Sequence, residues 1–251
     1  RFFDTNLTAG TKYFYSIFSF NGSAGSYNYV NANPLQGSQI MLPSAPVLDP
    51  VSLLTQTGFT LSWSAVNGAT DYRLFLSSDN FVNTLAGYDG KLTGLVASRT
   101  LEGLSSGTSY HIKILAVNEA GNSSISNTES AITIPASPVA TAASMVAQTS
   151  FVANWESVIG ANDYYLTVSA NANLSSPLAD FDGATPIDGS IFSKELSGLD
   201  AGTAYYFAVS AGNATGKSPL SNVLSQLLLP AAPMAISASL VGQTSFSANW
   251  D

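Results

Sequence analysis

The chain has 251 residues, which is enough for one large domain or for two to three small ones. Its 8 Lys and Arg against 16 Asp and Glu give a formal net charge of −8, which disfavours binding to nucleic acid and basic amphipathic insertion into membranes. It contains no cysteine, which excludes disulfide scaffolds, thiolate zinc sites and cysteine nucleophiles.

The sequence shows no targeting signal and no segment apolar and long enough to span a bilayer. Charged residues make up only 10% of the chain, and its polarity comes from Ser, Thr, Asn and Gly. This composition is common in secreted bacterial proteins, so we expect an extracellular or cell-surface location.

Three short segments recur along the chain at nearly constant spacing. The segments "LPSAP", "IPASP" and "LPAAP" and the segments "QTGFTLSW", "QTSFVANW" and "QTSFSANW" each recur at steps of 92 and 95 residues. A third signal, "GT" followed by a strand tyrosine, recurs at steps of 97 and 95 residues. A period of this length is too long for a solenoid unit and predicts a small domain repeated in tandem.

The repeat predicts four segments in chain order. Residues 1–43 are the C-terminal part of one domain, 44–135 and 136–230 are complete domains, and 231–251 are the N-terminal part of a further one. The first segment carries about five extra residues around "YNYVNANPLQ", which we place in its last hairpin or strand. We expect both partial segments to fold only within a longer parent protein, or where their exposed edges find another strand.

In residues 1–43, the strand "YFYSIFSFN" carries an unusual outward face. Its outward positions include Phe14, Phe18 and Phe20, whereas the corresponding positions of the complete domains carry mostly smaller or polar residues. Such a patch marks an interface in many proteins, and Tyr27 and Tyr29 in the nearby insertion could extend it. The alternative is that the rest of this domain, or the adjoining one, covers the rings.

Both complete domains show a hydrophobic period of two, which is typical of strands. Short strands are bounded by "NG", "DG" and Ser/Gly clusters every 8 to 12 residues, and no amphipathic helix is found. This pattern predicts an all-β sandwich. The predicted inward residues are Phe59, Leu61, Trp63, Tyr72, Leu74, Leu76, Tyr110, Ile112, Ile114 and Ala116, matched by Phe151, Ala153, Trp155, Tyr164, Leu166, Val168, Tyr205, Phe207, Val209 and Ala211.

A tryptophan that ends the second strand, a leucine six residues before a strand tyrosine, and "YHIKILAVNEAGNSS" together resemble the fibronectin type III domain. The resemblance is strongest to versions found in tandem arrays of bacterial secreted and surface proteins. It implies tandem immunoglobulin-like (fibronectin type III) β-sandwiches arranged end to end, each with a central tryptophan. It also implies a tyrosine corner, in which the phenol hydroxyl bonds back to the chain, at Tyr13, Tyr110 and Tyr205.

The linkers "PSAP", "PASP" and "PAAP" are short and rich in proline. Because proline lacks a backbone donor and favours extended conformations, we expect these linkers to restrict bending between successive domains.

Two candidate sites favour a structural interpretation. His111 is the only histidine and lies on an outward strand position, with no nucleophile elbow elsewhere, so no catalytic residue is predicted. The segment "DFDGATPIDG" brings together Asp180, Asp182 and Asp188, which could suggest calcium. It lacks the twelve-residue loop pattern, and the preceding domain keeps only Asp89, so an Asp-Gly turn is favoured and neither metal nor cofactor is predicted.

Three functions remain open at the level of sequence. The first is a non-enzymatic spacer or adhesive segment of an extracellular bacterial multidomain protein, with neighbouring domains of the same chain as its partners. The second is an accessory linker region of a modular secreted hydrolase, either a carbohydrate-active enzyme or a protease. The third is a specific module that binds an extracellular protein or glycan. Because one fold hosts many functions, the fold alone does not choose among them.

Overall fold

Alternating apolar and polar residues form short antiparallel strands throughout the computed structural model, which describes residues 3–23, 26–29 and 33–251. Within these residues the only helical element is a single 3₁₀ turn, Ala179–Phe181. The chain divides into two compact units, residues 1–133 and 134–251, each of which contains one complete sandwich. The sequence predicts three domain boundaries, at residues 44, 136 and 231, whereas this division has one, so these boundaries stay predictions.

Residues 1–43 form two small antiparallel pairs. Strand β1 pairs with β4, and β2 pairs with β3 in a hairpin that contains part of the extra segment. The strands are β1 (Lys12–Ile17), β2 (Phe20–Ser23), β3 (Ser26–Tyr29) and β4 (Leu35–Ile40).

The complete sandwich of the first unit has two antiparallel sheets. Its strands are β5 (Phe59–Ser62), β6 (Asp71–Ser77), β7 (Asp89–Leu92), β8 (Ser98–Leu101), β9 (Ser109–Asn118), β10 (Gly121–Asn122) and β11 (Glu129–Ile132). One sheet pairs β5 with β8 and is extended by single bridges from Leu48 to Trp63 and from Ser52 to Thr60. The other has the order β10-β9-β6-β7, and β11 also pairs with β9.

The sandwich of the second unit repeats this arrangement. The strands are β12 (Ala140–Ser144), β13 (Phe151–Trp155), β14 (Asp163–Ser169), β15 (Ile187–Asp188), β16 (Ser193–Leu196), β17 (Ala204–Asn213), β18 (Gly216–Lys217), β19 (Leu224–Leu227), β20 (Ala235–Ser239) and β21 (Ser247–Trp250). One sheet has the order β12-β13-β16, and the other has the order β15-β14-β17-β18, with β19 also paired to β17. A further antiparallel pair, β20 with β21, belongs to the last repeat.

Each sandwich has its own core, built around the predicted tryptophan. Trp63 is only 3% exposed and its ring packs edge-on against Tyr72 at 5.5 Å between centroids. Trp155 packs against Tyr164 with tilted rings, at 5.7 Å between centroids and an interplanar angle of 51°. The predicted core positions are therefore confirmed, and each large apolar side chain buried there contributes about 1.5–3 kcal/mol.

The tyrosine corner is confirmed in all three repeats. The hydroxyl of Tyr110 accepts a hydrogen bond from the backbone N–H of Ser105 at 2.9 Å, and that of Tyr205 accepts one from Asp200 at 3.1 Å. In residues 1–43 the hydroxyl of Tyr13 accepts one from Thr8 at 2.8 Å. These bonds fix the chain where it enters β1, β9 and β17.

A second tyrosine makes a similar bond in each complete sandwich. The hydroxyl of Tyr72 accepts a hydrogen bond from the backbone N–H of Val66 at 2.9 Å, and Tyr164 accepts one from Val158 at 2.7 Å. The sequence predicted these tyrosines as core residues but not their hydrogen bonds. Each ring therefore fills the core while its hydroxyl anchors the loop that precedes its own strand.

Candidate functional site

The phenylalanine patch predicted in residues 1–43 is exposed but is not carried by one strand. Phe14 lies in β1 and is 78% exposed, Phe18 lies beyond the end of β1 at 41%, and Phe20 begins β2 at 58%. The prediction of a continuous strand through Phe20 is therefore wrong.

The strand stops where its backbone pairing stops. Among residues 3–23, 26–29 and 33–251, β1 pairs only with β4, and their ladder ends at Ile17 and Leu35. In the first complete sandwich, by contrast, β9 pairs with β6 along seven consecutive residues from Ser77 to Asp71, which keeps the strand extended. Without that second ladder, Phe18 and Ser19 leave the strand.

Tyr27 and Tyr29 lie in β3, where Tyr29 is opposite Phe20 in the backbone register. Their side chains lie outside the described part of the chain, so the extension of the patch by these rings stays a prediction.

One face of β1 carries Tyr15 and Ile17, at the positions that face the core in the complete sandwiches. Tyr15 and Ile17 are both about half exposed, whereas their counterparts Ile112 and Ile114 in β9 are fully buried. An open cavity of about 510 Å³ lies along this face and includes Leu7, Tyr13 and Met41 in its lining. A facing sheet like that of the complete sandwiches would cover this side of β1. Phe14 and Ser16 also belong to the lining of the cavity.

Of the three aspartates in the predicted turn segment, Asp182 and Asp188 make bonds typical of turns, and Asp180 lies in the 3₁₀ turn Ala179–Phe181. Asp182 accepts a hydrogen bond from the backbone N–H of Ala184 at 2.8 Å, and Asp188 accepts one from Ser190 at 2.9 Å. Hydrogen bonds from the side chain and backbone of Ser190 lower the pKa of Asp188 below its ordinary value. Within residues 3–23, 26–29 and 33–251, no group of three or more His, Cys, Asp or Glu is arranged to hold a metal ion.

A cavity of about 330 Å³ lies beside these turns in the second sandwich. Leu166 and Phe181 provide apolar lining, and Asp180, Asp188 and Lys194 contribute charged groups. The cavity therefore combines apolar contacts with charges of both signs, which suits a small polar ligand better than a purely apolar one.

His111 is half-buried rather than a simple surface residue. Its Nδ1 lies 2.9 Å from the hydroxyl of Ser130 in the adjacent strand β11. Its ring is 6.5 Å from that of Phe81, over which the ammonium of Lys113 lies at 4.2 Å. None of the described carboxylates is hydrogen-bonded to His111, so this Ser-His pair lacks the orienting acid that a triad needs.

One repeated feature was missed by the sequence reasoning. Leu53, Met145 and Leu240 occupy the same place in successive repeats and adopt left-handed φ values of 49°, 50° and 50°. All three are strongly exposed, with Leu53 at 77%. The signal in the sequence was a large apolar residue after serine at a polar turn, in "SLL", "SMV" and "SLV".

In the part of the chain that the structure describes, no helix is both long and apolar enough to cross a membrane.

Comparisons with known proteins identify the domain type of one part of the chain. Residues 45–132 match the family model of the fibronectin type III domain. Among curated relatives, fibronectin type III domain-containing protein 7 of Mus musculus is 29% identical over 196 residues, covering 77% of this chain and 24% of that protein. Exoglucanase B of Cellulomonas fimi is 28% identical over 242 residues, covering 86% of this chain and 20% of that enzyme. The chain thus spans a quarter or less of these relatives.

Among solved structures, a segment of two fibronectin type III domains from chicken tenascin is 22% identical. That comparison covers 74% of this chain and 98% of the tenascin segment, with a TM-score of 0.43.

Proposed function

We propose that the chain, in which residues 45–132 match the fibronectin type III domain and a second sandwich repeats the same topology, is a non-enzymatic spacer segment of an extracellular bacterial multidomain protein. Domains of this family are generally non-catalytic and are typical of linker and adhesion regions. In this role the sandwiches hold other domains apart, and their exposed loops are available for adhesive contacts.

The observation that carries this proposal is that each complete sandwich closes its own core. Trp63 and Trp155 lie in separate clusters of buried residues, and each cluster is completed within one repeat. A domain of about 90 residues can fold alone without disulfides, which suits a chain that lacks cysteine. Units that fold separately can be added or removed without disturbing their neighbours, as a spacer requires.

A replacement experiment in the full-length protein tests the spacer role. Residues 44–230 are exchanged either for an unrelated pair of fibronectin type III domains or for a flexible Gly/Ser linker of equal residue number. A spacer predicts that the unrelated pair preserves function and that the flexible linker does not. If the unrelated pair fails although the protein is expressed and folded, a specific surface of this segment is required and the spacer proposal is wrong.

The second candidate is an accessory region of a modular secreted hydrolase. It is favoured by the similarity to exoglucanase B, which extends over 86% of this chain. Deletion of the segment from the full-length protein would then lower hydrolysis of an insoluble polysaccharide while hydrolysis of a short soluble substrate is retained. Equal activity on both substrates after deletion would contradict this role.

The third candidate is a binding module that uses the exposed phenylalanines. It is favoured by the exposure of Phe14, Phe18 and Phe20, at 78%, 41% and 58%. The triple change of Phe14, Phe18 and Phe20 to Ser should abolish self-association in sedimentation, or binding to an extracellular protein or a glycan array. The control changes Leu53 and Met145, which are exposed elsewhere at 77% and 83%, to Ser. Identical behaviour of the two variants would remove the phenylalanine patch from consideration.

A further inference from the structure

The linker that precedes the first complete sandwich is bonded on both of its sides. Leu42 stands immediately before Pro43, and its carbonyl oxygen accepts a hydrogen bond from the backbone N–H of Gly10 at 2.9 Å. Its side chain extends the other way and packs over Gly121 at the start of β10, where a Cβ would lie 3.2 Å from Leu42 Cδ2. Leu42 therefore joins the preceding repeat to the turn between β9 and β10.

The neighbouring residue Met41 strengthens the same joint. Its N–H donates to the carbonyl of Thr11 at 3.0 Å, and its carbonyl accepts a hydrogen bond from Asn118 Nδ2 at 2.8 Å. Asn118 is almost fully buried, and its Oδ1 also accepts a bond from the N–H of Ala120 at 2.9 Å. A single amide thus shapes the turn after β9 and holds the linker.

A second contact lies beside the linker. The side chain of Asn67 donates to the carbonyl of Ala9 at 3.2 Å. Next to it, the backbones of Gly10 and Gly68 approach so closely that a Cβ on either residue would overlap the other's loop. Both glycines also have φ values of 69°, so a side chain is excluded at each position for two reasons.

The two halves of this joint recur in the second unit. The N–H of Gly202 donates to the carbonyl of Leu229, which precedes Pro230, at 3.0 Å. Ile134, which precedes Pro135, places its Cδ1 3.5 Å from the position of a Cβ on Gly216. Both residues precede a linker proline, as Leu42 does. Leu229 repeats its carbonyl contact, and Ile134 repeats its side-chain contact.

We propose that the end of the first complete sandwich formed by Asn67, Gly68, Asn118 and Gly121 is a specific docking surface. Its partner is the preceding repeat of the same chain, through the turn at Ala9–Gly10 and the linker residues Met41–Leu42. The close backbone approach and the buried amide bond hold the two parts at a fixed angle, beyond the stiffness that proline alone gives a linker. This inference holds whether or not the segment acts as a spacer.

The absence of cysteine allows a direct test on the whole chain. Ser38 and Ser98 are exposed and lie on the two sides of the joint, so cysteines introduced there are the only sites for a pair of spin labels. A docked joint predicts one narrow distance distribution by double electron–electron resonance. A second pair at Ser98 and Thr128, both within the sandwich, reports whether the sandwich itself is intact.

Three variants address the contacts separately. Asn118→Asp keeps the acceptor for Ala120 and loses the donor to Met41. Gly68→Ala introduces the overlap with Gly10. Asn67→Ala removes an exposed side chain and, with it, the bond to Ala9. Each should broaden the distribution across the joint about twofold, because uncoupled domains move freely, and leave the second pair unchanged. Gly94→Ala is the matched control, since Gly94 has a φ of 80° but no atom near the added Cβ.

Two outcomes would overturn the proposal. One is a distribution across the joint that is already broad in the parent chain. The other concerns the variants that leave the Ser98–Thr128 distance intact. If Asn67→Ala and every such variant broaden the distribution across the joint no more than Gly94→Ala does, the contacts do not hold the joint.

Discussion

Asn127 and Leu48, which are 79 residues apart in the sequence, are joined by both polar atoms of one side-chain amide. The N–H of Leu48 donates to Asn127 Oδ1 at 2.8 Å, and Asn127 Nδ2 donates to the carbonyl of Leu48 at 3.0 Å. Leu48 bridges to the sheet of β5, while Asn127 precedes β11 in the other sheet. The amide therefore ties the two sheets together at one edge of the sandwich.

We call this pair of bonds the amide clamp. It recurs in the second sandwich, where the N–H of Ala140 donates to Asn222 Oδ1 at 2.9 Å and Asn222 Nδ2 donates to the carbonyl of Ala140 at 3.1 Å. We expect Asn127→Ala and Asn222→Ala each to lower the free energy of unfolding of their own sandwich by about 1–3 kcal/mol, because a backbone N–H and carbonyl lose their partners near the core. Urea unfolding monitored by hydrogen exchange of each sandwich measures the effect.

The control for the clamp is Asn122→Ala, which changes an exposed asparagine of β10. Asn127→Asp keeps the acceptor but loses the donor and places a second carboxylate beside Glu129, so its effect should be at least as large as that of Asn127→Ala. Equal stability of Asn127→Ala and Asn122→Ala would show that the clamp contributes nothing.

Features with a local or periodic signal could be predicted from the sequence. The alternation around Trp63 and Ile112 identified core positions, and the fixed spacing from Leu104 to Tyr110 identified the corner, because both depend on residues close together in the chain. The clamp at Asn127 could not be found in this way. Its partner is the backbone of a distant residue, and every residue type except proline supplies the same N–H and carbonyl.

The prediction of the phenylalanine patch was also limited by what the sequence shows about strand pairing. The sequence predicted that Phe14, Phe18 and Phe20 would share one strand face, by analogy with the complete repeats. Whether a strand stays extended depends on the ladders that flank it, and within the described part of the chain β1 has one, with β4. Similarly, the partner of His111 is Ser130, which is across a ladder and is not marked by any spacing.

The corner tyrosine should contribute measurably to stability through its hydroxyl alone. Tyr110→Phe removes the bond to Ser105 and leaves the ring in the core, so we expect a loss of about 0.5–1.5 kcal/mol in the free energy of unfolding. Tyr206→Phe is the control, since Tyr206 is a half-buried residue of β17 adjacent to the corner tyrosine of the second sandwich. Chemical denaturation measures both, and equal losses would contradict a specific role for the corner bond.

Replacement of Leu53 by glycine should not destabilise the first sandwich, although it removes a large apolar side chain. The left-handed backbone at φ 49° costs an L-residue about 1–2 kcal/mol, and glycine relieves this cost while adding about 0.5–1 kcal/mol of chain entropy to the unfolded state. We therefore expect a gain of about 0.5 kcal/mol in thermal or urea unfolding.

Val82→Gly is the control for Leu53→Gly. Val82 is similarly exposed, at 80%, but is not among the residues with positive φ, so glycine there should only destabilise. A loss of stability in Leu53→Gly as large as that in Val82→Gly would show that the left-handed backbone carries no strain.

Asp79 should make the first sandwich sensitive to acid. Its carboxylate accepts hydrogen bonds from the hydroxyl of Ser77 at 2.7 Å and from the backbone and side chain of Asn83 at 2.9 and 2.8 Å. The bond from Ser77, followed by those from Asn83, lowers the pKa of Asp79 from 3.8 to about 2. Because the folded pKa is the lower one, the stabilisation is complete above the ordinary value and is lost as pH falls through about 2.

The acid dependence is measured as the free energy of unfolding between about pH 5 and about pH 2, together with an NMR titration of the carboxyl group. The parent chain should lose more stability over this range than Asp79→Asn, whose side chain does not titrate. Glu102→Gln, which removes an exposed carboxylate, is the control for the loss of one negative charge. Parallel curves for the parent and Asp79→Asn would show that the hydrogen bonds to Asp79 do not couple its protonation to folding.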